Sequence, residues 1–434
     1  MSTVTTVTTE TPLIGVSDFS RPFATLGLAL SRGVVADPPG KEGLANLTAQ
    51  MLNRGTKSKT RAQIAEAIDH IGSSLEISVS RDHTTLWGDG LTRHRGTLVS
   101  LMAELLSEPT FPDDELEKLK RETIAELAAV RDDDASLGMR FFARQLYGAH
   151  PYSRPSKGDE RSLGRITRED LVALHASWSA KDVLVAVAGD LDGDEQRRVA
   201  ERLAGVLPGD GVAPLTLAEP SPTPTGWRVT VVDKPKRSQT QVFIGHLTVD
   251  GRHPDWTALQ VGQTSFGGTF TSRFSHEIRE KRGWSYGAWS QLSGDHRLGT
   301  FLLRYYPNTK DTVPSLLLSH ELIHDFVRTG PSADEFAAAQ SYLQNGFVFA
   351  IDTATKRLSE LVTARLMGYP DDHVDTTVER LRAVSHEHAV SAVKSHLRPD
   401  AMAVTIVGTA SELVKDLEGL PFVTSVDIID WMAP

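Results

Sequence analysis

The chain has 434 residues, 40% hydrophobic and 24% charged, which is the composition of an ordinary globular protein long enough for two or more domains. Its 46 basic and 56 acidic side chains leave a net charge of −10, and no Lys/Arg-rich run stands out, which argues against a nucleic-acid partner. With no cysteine there are no disulfides and no cysteine-ligated zinc. No apolar run is long enough to span a membrane, so no membrane association is expected. The opening MSTVTTVTTETPL lacks a basic segment followed by an apolar one, so the expected location is cytoplasmic, or periplasmic if a signal peptide has been removed.

Residues 1–12 are Thr-rich and read as a flexible N-terminus. A strand is predicted over 23–31, broken by Pro38-Pro39-Gly40, and helices over 43–52 and 61–72. Strand-like segments follow at 74–80 and 84–89, then an apolar helix over 97–106 and a long, charged, amphipathic helix over 113–131. An irregular HPYSRPSKGD loop, a helix over 167–178 opened by a TRED capping box, and a buried strand over 183–189 complete the first half. Residues 207–226 are rich in proline and glycine and read as a linker between domains at 13–206 and 227–434. Beyond it the pattern begins again, with strands over 228–232 and 240–246 and a helix from about residue 255.

The second half repeats the first. RLMGYPDDH (365–373) answers QLYGAHPYS (145–153), and VSHEHAVSAVKSHLRPDAMAVTIVG (384–408) answers ITREDLVALHASWSAKDVLVAVAG (166–189). Two segments in order at one offset argue for internal duplication. The expected fold class is α+β, with two homologous domains, each an antiparallel-rich sheet covered by helices on one side.

The most specific stretch is GGTFTSRFSHEIREKRGWSYGAWS (267–290). Gly267-Gly268 frees the backbone for a turn, Thr271 or Ser272 can cap a short helix, and Phe274 and Ile278 stand four apart on one helical face. Gly283 sits where a helix C-cap glycine belongs, and the alternation that follows predicts a strand with Tyr286 near its start. Arg279 in the last helical turn and Tyr286 beyond the glycine then point into one space. A guanidinium fork beside a phenol can hold a peptide carbonyl or a developing oxyanion. An isolated Arg and Tyr seven apart are more often a helix-capping Arg and a packed strand Tyr.

The wording around this pair resembles the second-half motif of the M16 zinc peptidases, the pitrilysin and mitochondrial-processing-peptidase family. There the context runs SRL…LREKRGLAY; here it is SRF…IREKRGWSY, with the bulkier Trp284 as a departure. The resemblance extends more weakly over most of the chain. It implies two M16 domains, and in cleaving members a His-x-x-Glu-His on an early helix, whose two His bind zinc and whose Glu acts as base. The corresponding stretch, GLANLTAQMLNRGT (43–56) against a pattern like GLAHFLEHMLFKGT, puts Asn46 and Gln50 where the two His belong and Ala49 where the base belongs. Glu126 falls where a third ligand is expected. Amides are poor zinc ligands and alanine cannot accept a proton, so no zinc is expected in this half.

In M16B-type and mitochondrial enzymes of the family, one subunit carries zinc and the other keeps the glycine-rich stretch or the Arg/Tyr pair. By resemblance this chain is the second kind. It is expected to be inactive alone and to bind no cofactor itself. In a clamshell-like heterodimer with an HxxEH-bearing M16 partner holding the zinc, it would supply Arg279 and Tyr286 to a peptide substrate. Gly267 and Gly268 would let the substrate backbone approach.

A second candidate is His320-Glu321-Leu322-Ile323-His324, a literal H-E-x-x-H on a predicted helix, which taken alone suggests an independent zinc peptidase. No third ligand follows at the usual spacing, and the segment answers an ordinary packing helix in the first half. A purely structural M16 relative is the remaining alternative. His276 and Glu277 read as a solvated helix face, His150-Pro151-Tyr152 as structural, and His386-Glu387-His388 as too closely spaced for helical chelation.

Overall fold

The computed structural model describes residues 3–8, 12–211, 215, 217, 220–295 and 297–433. In chain order the strands are β1 (Thr3–Thr8), β2 (Pro12–Ser17), β3 (Phe23–Leu30), β4 (Ser74–Val79), β5 (Thr84–Leu91), β6 (Val183–Gly189), β7 (Gly226–Asp233), β8 (Gln241–Thr248), β9 (Ala288–Gly294), β10 (Gly299–Tyr305), β11 (Ala401–Gly408) and β12 (Val423–Asp430). The first-half helices are α1 (Leu44–Met51), α2 (Arg61–His70), α3 (Arg95–Ser107), α4 (Asp113–Val130), α5 (Asp134–Tyr147), α6 (Glu160–Arg165), α7 (Arg168–Ala176) and α8 (Gly193–Ala204). Those of the second half are α9 (Trp256–Gly267), α10 (Arg273–Ser275), α11 (Thr312–Thr329), α12 (Ala333–Ala350), α13 (Ala354–Leu366), α14 (Thr377–Ala383), α15 (His386–His396) and α16 (Ala410–Glu418). No helix of the described residues is long and apolar enough to cross a membrane.

The strands form two six-stranded sheets, ordered β1-β2-β6-β3-β5-β4 and β12-β7-β11-β8-β10-β9. In the first, β2 and β6 are parallel and the pairs from β6 to β4 are antiparallel. In the second, β7 and β11 are parallel and the pairs from β11 to β9 are antiparallel. Five strands thus repeat in order and sense, the structural form of the duplication. The outer strands differ: β1 is antiparallel to β2, whereas β12 is parallel to β7. The expected flexible N-terminus therefore includes an edge strand at Thr3–Thr8, while residues 1, 2 and 9–11 lie outside the described residues, as do several in the expected linker.

The chain gathers into two compact units that do not follow the predicted contiguous domains. One comprises residues up to Leu127, Arg154–Leu217 and Ala350–Leu366; the other comprises Ala128–Ser153, Ala218–Phe349 and Met367–Pro434. The two halves of the sequence exchange one helix. α13 packs on β2 and β6, with Thr355 sharing a 2.7 Å hydroxyl contact with Thr25 of the neighbouring β3, and α5 packs on β8 and β11.

This exchange corrects the expectation of helices on one side only. Successive strand residues face opposite ways. Val229 and Val231 of β7 join a core with Leu259 of α9, Leu316 of α11 and Val393 of α15, while Val232 meets Leu137 and Phe141 of α5. The second sheet is therefore covered on both faces, which is why its central strands read as continuous apolar runs.

Candidate functional site

α9 enters the fully buried core of the second unit through Ala258, Leu259, Val261 and Phe266 and ends at Gly267. The turn that follows carries Phe270, and Ser272 stands at the N-cap of α10, its hydroxyl donating to the Thr269 carbonyl rather than capping the helix. From His276 to Lys281 the helix widens to a π-helical turn. Such single π turns occur frequently at functional sites, because the wider i→i+5 spacing re-aims the side chains around it. Phe274 and Ile278 anchor the segment, both fully buried. Gly283, at φ +64°, closes it in the left-handed region, with its N–H on the Arg279 carbonyl at 3.0 Å.

A buried polar frame holds this surface in place. Gln263 of α9 donates to the Ser290 carbonyl at 2.8 Å, and Ser275 donates to the Ala288 carbonyl at 2.5 Å. Ser285 donates to the Gly287 carbonyl at 2.6 Å and accepts from the Tyr306 N–H at 2.9 Å. Above the frame the Arg279 guanidinium lies between two rings, 5.0 Å from the centroid of Phe270 and 5.1 Å from that of Tyr286. The rings are 71% and 78% exposed, an unusual state for large aromatic side chains. The carboxylate nearest Arg279 is Glu280 at 3.7 Å, and the Tyr286 hydroxyl has no hydrogen bond among the described residues. The arrangement is a cation clamped by cation–π contacts, with a phenol beside it, both open to an incoming acceptor.

The sequence expectation that brings Arg279 and Tyr286 together is met in the geometry, with two differences. Tyr286 lies in the connection before β9, not in the strand, because Ser285 is bonded to Tyr306 and holds the loop off the sheet. Gly267 and Gly268 do not serve a left-handed turn; Gly268 has φ −83°. A Cβ at Gly267 would lie 2.4 Å from the Ser290 hydroxyl and one at Gly268 2.7 Å from the Thr264 Cα, so close packing explains both glycines. Phe270, the second ring of the clamp, carried no signal in the sequence beyond its place next to the glycine pair.

In the first unit, Asn46, Ala49 and Gln50 lie on α1. Ala49 is fully buried in the core, and Gln50 donates its amide to the Ile77 carbonyl of β4 at 2.8 Å. Glu126 is exposed and paired with Lys157 at 2.7 Å. These side chains do not fit a zinc ion: two amides, one already committed to a strand, and a carboxylate neutralised by a lysine make no ligand set.

The H-E-x-x-H residues lie on α11, and His320 and His324 do share a face, ring centroids 4.2 Å apart. But the His320 ring stacks on Phe422 at 3.9 Å and packs 5.2 Å from Trp227, so it serves as a half-buried aromatic packing piece at the edge of the core. Burial, with His324 beside it, pushes His320 down to about 4. Glu321 is exposed and His324 lies 3.6 Å from Asp400. Of the weaker candidates, Glu277 is paired with Lys281 and Arg282, His150 is buried edge-on against Tyr152, and His386 meets the Pro331 carbonyl at 2.7 Å.

Comparison with known proteins places this arrangement in a family. The profile described as Insulinase (Peptidase family M16) matches residues 14–159, and that described as Peptidase M16 inactive domain matches residues 165–343. The chain is 25% identical over 369 residues, 84% of each chain, to an uncharacterized zinc protease of Mycobacterium tuberculosis. It is 23% identical over 401 residues, 92% of each chain, to a non-peptidase homolog, YmxG, of Helicobacter pylori. A crystal structure of a peptidase M16 inactive domain from Pseudomonas fluorescens superposes with a TM-score of 0.87 at 26% identity, covering 94% of this chain and 98% of that one. With both profiles matched in order on two domains of repeated topology, the chain belongs to peptidase family M16.

Proposed function

We propose that this chain is the zinc-less subunit of a heterodimeric M16B-type zinc metallopeptidase and supplies Arg279 and Tyr286 to the substrate at its partner's metal site. The observation that carries the proposal is the Arg279 clamp: a cation held between exposed rings on a buried polar frame, in a chain whose α1 has amides and an alanine at the metal positions. A side chain kept only for packing would not leave Phe270 and Tyr286 in solvent. That relatives carry the names zinc protease and non-peptidase homolog alike is consistent with a family in which the metal chemistry is divided between chains.

In this reading the partner carries HxxEH, and its zinc supplies the activated water. Arg279 orients the peptide through its charge, and the Tyr286 hydroxyl donates to the substrate carbonyl or the oxyanion that forms from it. Gly267 and Gly268 act indirectly, by holding the end of α9 against β9 so that Phe270 reaches Arg279.

The test is reconstitution with an HxxEH-bearing M16 protein of the same organism, followed by size exclusion and peptide cleavage. The assembled pair should cleave and the lone chain should not. Tyr286→Phe should lower kcat by roughly a hundredfold, as for loss of an oxyanion donor. Arg279→Ala should also raise KM, since the guanidinium is charged in ground and transition states alike. Arg282→Ala should be nearly silent. If both clamp variants stay within about twofold of wild type, the pair is structural. Cleavage by the lone chain that disappears on His320→Ala would favour the independent H-E-x-x-H enzyme instead.

A further inference from the structure

A second group of side chains in the same unit has no part in the clamp. The loop before α9 carries His253 and Asp255, and α15 carries His388 and His396. The Asp255 carboxylate meets His396 Nε2 at 2.7 Å through one oxygen and His388 Nε2 at 2.9 Å through the other. His253 Nδ1 accepts from the Asp255 N–H at 3.1 Å and lies 3.9 Å from the Asp255 carboxylate, and the His253 and His396 rings meet edge-on with centroids 4.7 Å apart. One ligand atom from each of His253, Asp255 and His396 lies within 4.8 Å of the others, the one such group of His and carboxylate atoms among the described residues. Asp255 is also at the N-cap of α9, yet its side chain makes no capping hydrogen bond. An aspartate there would ordinarily bond the helix N–H groups; this one is hydrogen-bonded to two imidazoles instead.

We propose that His253, Asp255 and His396 form a binding site for a divalent transition-metal ion, of the zinc class, that braces α9 against α15, with His388 holding the other oxygen of the Asp255 carboxylate. Two imidazoles and one carboxylate, with water completing the shell, suit zinc, copper or nickel and not calcium or magnesium, which prefer all-oxygen sites. On binding, the ion would take the place of the hydrogen shared between His396 Nε2 and Asp255; that proton moves to Nδ1 of the ring or, from an imidazolium, leaves to solvent, and His253 offers a ring-nitrogen lone pair. The side chains are partly exposed, from 14% for His396 to 44% for His388, which leaves the ion a path from solvent. The site is structural in character. It lies at the start of the helix whose end presents Gly267 and Phe270, and at a distance in sequence from α1. The expectation that this chain carries no metal of its own is thereby confined to α1.

The experiment is titration of the chelator-stripped full chain with ZnCl2 by calorimetry, with thermal melting and the visible spectrum of the Co2+ form as independent readouts. One ion per chain with a micromolar or tighter Kd, a rise of several degrees in Tm with excess zinc, and Co2+ bands of a mixed nitrogen–oxygen site are expected. His253→Gln and His396→Gln should each weaken binding by roughly tenfold or more, while His320→Ala, in the H-E-x-x-H segment, should leave it unchanged. Circular dichroism of each variant verifies that it folds. Failure of Zn2+ to bind below about 1 mM overturns the proposal, as does binding that survives His253→Gln and His396→Gln or that is lost with His320→Ala. None of these outcomes bears on the Arg279 clamp, whose test is the activity of the assembled pair.

Discussion

At the scale of single residues, Gly267 separates two uses of a glycine. If its role were to admit substrate backbone, Gly267→Ala would lower activity and leave stability alone. The geometry gives the other outcome. An added Cβ would meet the Ser290 hydroxyl at 2.4 Å and the Ser290 backbone nitrogen at 2.6 Å, and the Gln263–Ser290 hydrogen bonds hold that strand in place. Relief requires a backbone shift, which for overpacking costs about 1–3 kcal/mol. Gly267→Ala should therefore lower the Tm of the isolated chain, whereas Gly164→Ala, at a helical glycine with open space around it, should be neutral or slightly stabilising. Equal melting of the two variants would return Gly267 to the role of a substrate-approach glycine. The residue types of the clamp were readable in the sequence for Arg279 and Tyr286, because their spacing across Gly283 is distinctive. Phe270 was not, because one aromatic residue after a glycine pair is more often core. The metal-type cluster was not either, because Asp255 and His396 are brought together only by the packing of α9 on α15.

At the scale of elements, the duplicated pattern paired 145–153 with 365–373, at the ends of α5 and α13, but showed neither the two helices nor their exchange between the two sheets. An amphipathic face says that a helix buries one side, not against which sheet. What fixes α5 in place includes Lys234 of the β7 connection, 3% exposed, which pairs with Asp134 at 2.6 Å and donates to the Arg131 carbonyl at 2.5 Å. The Trp431 ring lies 5.2 Å from the same ammonium. Removing the carboxylate leaves a buried cation with half its partners. Asp134→Ala should thus destabilise the chain by roughly 3 kcal/mol, the range for breaking a buried pair. Glu126→Ala breaks a pair whose two side chains are 59% and 49% exposed and should change stability by less than about 1 kcal/mol. Chemical denaturation of both variants measures the contrast; a negligible effect of Asp134→Ala would mean that α5 is held by its apolar face alone. The π turn was likewise illegible. HEIREK has ordinary helical composition, and the widening follows from where Phe274, Ile278 and Gly283 must sit, not from any residue within it.

At the scale of the whole molecule, one buried and two half-buried imidazoles tie stability to pH. His246 on β8 is fully buried; its Nδ1–H donates to the Leu247 carbonyl at 2.9 Å, and its Nε2 accepts from the Arg398 N–H at 3.2 Å. With the second nitrogen facing a donor, protonation would set two N–H groups against each other, and burial pushes the imidazole down to about 4. Burial also pushes His320 and His373 down to about 4, the latter with Arg380 nearby. For a histidine whose folded value lies below its ordinary 6.5, the unfolded chain binds protons that the native chain does not, throughout the interval between the two values. The stability these groups contribute is therefore complete above about pH 6.5 and is lost as the pH falls toward 4. Asp37 opposes this trend. Burial raises its carboxyl to about 6 against the N–H groups of Gly43 and Ala45, so its contribution is present at low pH and lost as the pH rises through 6. One aspartate against three histidines leaves the histidines in control. The Tm should hardly change between pH 8 and 7 and should fall by several degrees between pH 6.5 and 4.5, before most carboxylates titrate. His246→Gln, which retains a donor and an acceptor but cannot take the proton, should start from a lower Tm and show a shallower decline across that window. Parallel declines in the variant and the wild type would assign the acid sensitivity to other groups.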